Sequence, residues 1–190
     1  MSPIAPSPTP DPVARLAALE ARVHELEAAA VARDHRLCLL VFSGELDKLL
    51  AAFNVATGAA ASGREVTMFF TFWATAALRR RRASASRPLL EYAFGQMLPM
   101  GERELRLSTL NMAGVGAALL RRVMRQKNVP SFDEQLTHAR ELGVRILVCS
   151  TTLELLGIPQ SDLIEYPDLA PAGVAGFLQQ ALASSQTLVF

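Results

Sequence analysis

Three short apolar runs constrain this chain more than any other feature. They are LCLLVFSG (37–44), REVTMFFTFW (64–73) and VRILVC (144–149). A run of this length without polar alternation reads as a strand buried on both faces. Residues 45–62 lie between the first two and carry a helical face of Leu46, Leu49, Leu50, Phe53 and Ala56, stopped by Gly63. Strand, helix and strand with short joins make a βαβ unit, which predicts a parallel sheet with right-handed crossovers. The chain has 190 residues, 51% of them apolar and 19% charged, enough for one domain with a sizeable core.

The flanks read differently. Five prolines fall in the first twelve residues, so residues 1–12 read as a disordered tail. That stretch lacks the basic and apolar regions of a signal peptide. Residues 13–34 repeat Leu16, Leu19, Val23, Leu26 and Ala30 at spacings of 3, 4, 3 and 4, a heptad seam flanked by Glu20, Arg22, Glu25 and Glu27. This segment predicts an amphipathic helix, either an oligomerisation coil or a helix lying on the domain. Residues 79–110 read as a mobile insertion. Its Arg79–Arg82 run reads as a solvated loop, with a phosphate or acidic-membrane site as the alternative. Its Tyr92, Phe94, Met97, Leu98 and Met100 could form a partner surface, a membrane-facing segment, a lid over the site or plain core. Helices are predicted over 111–127, from the capping box Ser131–Glu134 to about Leu142, from a second box at Thr151–Glu154 to Gly157, and over 171–184. TLVF (187–190) reads as a terminal strand tying the C-terminus into the sheet. No run is long and apolar enough for a transmembrane helix.

A net charge of +1 argues against a nucleic-acid partner. No zinc spacing, Gly-rich phosphate loop or nucleophile elbow is present, so no metal and no cofactor is expected. The sequence Gly114–Gly116 lacks the strand and third glycine of a dinucleotide fingerprint. Two cysteines cannot build a disulfide framework, which points to a reducing, cytoplasmic setting. In an open parallel sheet, ligands collect beyond the carboxyl ends of the strands. Cys149 ends the third strand just ahead of a helix N-terminus, where free N–H groups favour a thiolate. On this reading the thiol is accessible at the sheet edge; the alternative is a small, packed, inert hydrophobe. Ser43, Gly44, Trp73, Ser150 and Thr151 are the neighbours expected at the strand ends. Cys38 falls at the opposite end of its strand and reads as core, too far from Cys149 for a disulfide. His24, His35 and His138 read as solvated or structural.

The order and spacing of these segments, with FGQMLPMG (94–101), LSTLNMAGVG (107–116), KNVPS (127–131) and GVRILVCSTTLELLGI (143–158), resemble the DsrE/DsrF-like superfamily. The nearest branch is the one often labelled "peroxiredoxin family protein". The resemblance runs from about Leu37 to Phe190 and leaves the tail and heptad helix outside. It implies a three-layer α/β/α domain with a mostly parallel sheet of about five strands, often in homo-oligomers. It also implies sulfur relay, in which a cysteine accepts a persulfide and passes it from a donor protein to an acceptor protein. The residue that matches is Cys149. Peroxidase chemistry is not implied, and no thioredoxin-fold motif of that kind is present. The branch's usual Cys-x-Met-Ser-Met-Asp is here Cys149 followed by Ser150, Thr151, Thr152, Leu153 and Glu154. Its Glu-Tyr-Gly-Gly is Glu165-Tyr166-Pro167-Asp168. Two further readings compete with the relay. One is a non-catalytic small-ligand module with Cys149 packed and inert. The other is an assembly or membrane-surface protein, with peripheral membrane contact a minor alternative, in which the heptad helix and the Arg79–Arg82 run carry the function.

Overall fold

The computed structural model describes residues 12–80, 99 and 101–190. The Pro-rich tail up to residue 11, Arg81, Arg82 and the apolar residues 92–98 and 100 lie outside them. Five parallel strands form one sheet in the order β4-β3-β2-β1-β5: β1 Arg36–Val41, β2 Glu65–Phe70, β3 Arg145–Cys149, β4 Ala170–Ala172 and β5 Gln186–Val189. The helices are α1 Pro12–Asp34, α2 Leu46–Ala61, α3 Trp73–Ala77, α4 Val115–Gln126, α5 Phe132–Glu141, α6 Ser150–Leu155 and α7 Val174–Ala183. Helices cover both faces of the sheet, which makes a three-layer α/β/α domain. Among the described residues no helix is long and apolar enough to cross a membrane.

The two faces of the sheet are unequal. Strand alternation sends Leu37, Leu39, Val41, Val66, Met68, Phe70, Ile146 and Val148 into the main core beneath α2 and α5. Phe53 of α2 centres it, edge-to-face on Phe132 at 5.3 Å and tilted against Phe70 at 6.1 Å. Each such fully buried aromatic contributes roughly 1.5–3 kcal/mol of transfer free energy. The opposite face holds a smaller cluster of Phe69, Leu147 and Cys149, roofed by Phe177 of α7, whose ring sits 5.1 Å from that of Phe69.

The three apolar runs, α2 and the Ser131–Glu134 capping box form where the sequence places them. Other segments differ. The helix expected over 171–184 begins at Val174, because Ala170–Ala172 pairs with β3 as an edge strand. An Ala-Pro-Ala strand has no alternation to read, and Pro171 is tolerated at the sheet's edge, where its missing N–H costs little. The helix expected from residue 111 starts at Val115. Leu110, Met112 and Ala113 all have positive φ, and a Cβ on Gly116 would lie 1.9 Å from the Leu110 carbonyl oxygen.

The described flanks of the 79–110 segment are tied into the fold. Arg79, expected in a solvated loop, is 3% exposed and bridges to Leu163. Arg80 pairs with Glu165 at 2.7 Å. Leu105 is buried, the Leu46 N–H donates to the Arg106 carbonyl at 2.7 Å, and the Ser108 N–H donates to Asp47 at 2.9 Å.

Candidate functional site

Cys149 closes β3 and is at once the N-cap of α6, in extended conformation (φ −62°, ψ 115°). The strand runs straight into the helix with no intervening loop. The expected second capping box therefore does not form: Thr151 lies inside the first helical turn, and no side-chain cap bond is made. At Ser131 a loop residue precedes the helix, and the reciprocal box closes.

The sulfur faces the smaller core, in register with Ala172 of β4 and clustered with Phe69 and Leu147. It is 5% exposed, so the thiol is buried and not open at the sheet edge as the sequence suggested. The cause is the three-residue strand β4 and the helix that follows it, which lie over that edge. Burial is the largest influence on the thiol and pushes its pKa up. The hydroxyl and N–H of Thr152, the Thr71 hydroxyl and the Thr151 N–H together outweigh burial and hold the thiol below its ordinary value.

The two threonines form a small network. Their hydroxyl oxygens lie 3.0 Å apart, and the Phe72 N–H donates to the Thr152 hydroxyl oxygen at 3.1 Å. Each hydroxyl has one proton. With the thiol, the S–H and the two hydroxyl protons serve three contacts, the sulfur to each threonine and threonine to threonine. With a thiolate, a hydrogen bond between the threonines leaves one hydroxyl proton for the sulfur, beside the Thr151 and Thr152 N–H groups. Phe72 adopts φ 45° and ψ −125°, a sparsely populated conformation for a side-chain-bearing residue, at the sharp turn from β2 into α3. That turn aims its N–H at Thr152 and leaves its ring half exposed.

The other expected neighbours are distributed around this centre. Thr151 supplies an N–H to the sulfur. Ser150 begins α6, with its hydroxyl 4.0 Å from where a Cβ on Gly173 would sit. Ser43 and Gly44 follow β1, separated from β3 by β2. The Ser43 N–H donates to the Phe190 carbonyl at 3.4 Å. Gly44 lies so close to Trp73 that an added Cβ would fall 2.6 Å from the Trp73 carbonyl oxygen. Trp73 itself is 51% exposed at the same end of the sheet. The sequence singles out neither Thr71 nor Thr152. A retrospective signal exists for Thr152, three residues beyond the N-cap, where a side chain can reach back.

Two further residues separate from the site. Cys38 is fully buried, level with Arg145 through Thr67, and burial pushes its thiol up to about 11. Four residues along and two strands across put it roughly 16 Å from Cys149, which rules out a disulfide between them. Tyr166, in the segment that departs from the family pattern, donates its hydroxyl to the Val144 carbonyl at 2.7 Å, at the amino end of β3 and away from Cys149. The three histidines are exposed. Among the described residues no group of His, Cys, Asp and Glu is arranged to hold a metal ion.

Known proteins align with this chain over about four-fifths of its length. The uncharacterized protein YrkE of Bacillus subtilis (strain 168) is 38% identical over 154 residues, spanning 80% of this chain and 95% of the relative. The sulfur carrier protein DsrE2 of Allochromatium vinosum is 30% identical over 150 residues, spanning 77% of this chain and 92% of the relative. Among solved structures, a protein of unknown function, MTH1491 from Methanobacterium thermoautotrophicum, aligns with a TM-score of 0.49 at 12% identity, over 83% of this chain and 100% of its own. The sequence profile of the DsrE/DsrF/DrsH-like family matches residues 33–189, and the chain belongs to that family.

Proposed function

We propose that this protein is a sulfur-relay protein that carries a persulfide on Cys149. The observation that carries the reading is the set of four donors around the sulfur, which lowers its pKa despite burial. The similarity to a sulfur carrier protein supports it. In the loading step the Cys149 thiolate attacks the outer sulfur of a donor persulfide. A new S–S bond forms at Cys149, the donor's S–S bond breaks, and its electron pair leaves on the donor thiolate. The outer sulfur keeps its proton, so Cys149 becomes Cys-S-SH. In the delivery step an acceptor thiolate attacks that outer sulfur, and Cys149 departs as the thiolate. The Thr71–Thr152 pair serves it then by giving a hydroxyl proton to the departing thiolate, beside the Thr151 and Thr152 N–H groups. Donor and acceptor are proteins on this reading, and a reducing cytoplasm keeps Cys149 free between transfers.

One observation favours the competing reading, a packed, inert thiol in a binding module: Cys149 is 5% exposed. Alkylation of the native protein with iodoacetamide across a pH series, read by intact mass, separates the two. The relay reading expects one adduct, absent from Cys149→Ser, present in Cys38→Ser, and titrating below the ordinary thiol value. It also expects a gain of one sulfur atom when the protein meets a low-molecular-weight persulfide. No modification before denaturation overturns it.

A further inference from the structure

We propose that α1 pairs with the α1 of a second copy of this chain, as a parallel, in-register, two-stranded coiled coil. The inference is independent of the sulfur chemistry. Within the described chain α1 buries no residue, and Leu16, Leu19, Val23 and Leu26 are 58%, 56%, 50% and 54% exposed. Its C-terminal end, Ala30, Val31, Arg33 and Asp34, lines a hollow with Ser185. Among the described residues the apolar seam upstream of that anchor, Leu16 to Leu26, is unpartnered along about 15 Å of helix.

The charges beside the seam say what covers it. With Leu16, Val23 and Ala30 at position a and Leu19 and Leu26 at position d, Arg15 and Arg22 fall at g, and Glu20 and Glu27 at e. In a parallel, in-register pair each g residue faces the e residue five positions on in the other helix. Arg15 then meets the partner's Glu20, and Arg22 meets the partner's Glu27. Symmetry repeats both contacts, so every flanking charge at these positions is matched. Antiparallel pairing sets Arg against Arg and Glu against Glu. A second copy supplies the complement by identity. The strand number follows from shape: β-branched Val23 at a, with Leu19 and Leu26 at d, favours two strands over three or four. Arg22 now pairs along its own helix with Glu25 at 2.6 Å, but both groups are well exposed, so the contact is weak and exchangeable.

Sedimentation equilibrium of the full chain tests this. At about 100 µM the wild type is expected to show a two-chain mass, dissociating on dilution by mass action. Val23→Asp puts a charge in the seam and should weaken association at least ~100-fold, while far-UV circular dichroism and Cys149 alkylation stay unchanged. Arg22→Glu should weaken it roughly tenfold, and Arg22→Glu with Glu27→Arg should restore it. Leu16→Cys should oxidise to a symmetric disulfide, because identical a positions meet across the axis. A single-chain mass, a three-chain mass, or wild-type association in Val23→Asp overturns the proposal. Absence of charge-swap rescue, or of the Leu16→Cys crosslink, overturns the parallel register.

Discussion

Cys38 and Cys149 carry the same side chain on the same face of one sheet, and their surroundings drive them in opposite directions. Around Cys38 burial acts alone and holds the thiol protonated, up to about 11. Around Cys149 burial is offset by hydroxyl and amide donors. Thr152 is the key neighbour, since it contributes both a hydroxyl and an N–H and also accepts the Phe72 N–H. Thr152→Val keeps the shape and removes the hydroxyl. It should raise the Cys149 pKa and slow its alkylation at neutral pH roughly tenfold. It should also destabilise the fold by about 1–3 kcal/mol, through the orphaned Phe72 N–H. Thr152→Ser should restore both, and the pH dependence of alkylation checks it. The position of Cys149 at a strand end was legible in the sequence because it ends an apolar run. The network was not, because its two hydroxyls stand 81 residues apart and meet only when β2 lies beside β3.

At the scale of elements, the strand-to-helix junctions decide the geometry. β2 enters α3 through the strained Phe72, and β3 enters α6 with no loop at all. The junction after β1 is tightened by Gly44 packing on the Trp73 backbone. Gly44→Ala would drive a Cβ into backbone that has no rotamer to change, so the β1 and β2 ends must separate. The expected cost is about 1–3 kcal/mol, read as a lower urea midpoint with an unchanged slope. Elements with strong local signals were legible: continuous apolar strands, the face of α2, and Ser131 with Glu134. β4 was not, because Ala-Pro-Ala becomes a strand only by having β3 beside it. The Thr151–Glu154 box misled for the converse reason. The spacing of the motif was present, but the residue ahead of it was already a cap.

For the whole molecule, the buried acids set how stability changes in alkali. Cys38 is raised to about 11 and Tyr166 to about 12, both chiefly by burial, so the fold holds their protonated forms. That contribution is complete below the unfolded thiol value of ~8.5 and is lost as pH rises through each folded value. Cys149, shifted downward, has the opposite sign and contributes above the ordinary thiol range. Stability should therefore decline from about pH 8.5 upward. In Cys38→Ala the decline should be shallower, measured as the urea midpoint against pH. The sheet order has a consequence for the newborn chain. β1 takes β2 on one side early, but its other edge is filled by β5, where Leu37 pairs with Gln186. Nearly the whole domain is translated between those partners. At ~5–20 residues per second, the apolar edge of β1 stays open for roughly 7–30 s on each ribosome, long enough for chaperones to find it before its final neighbour exists.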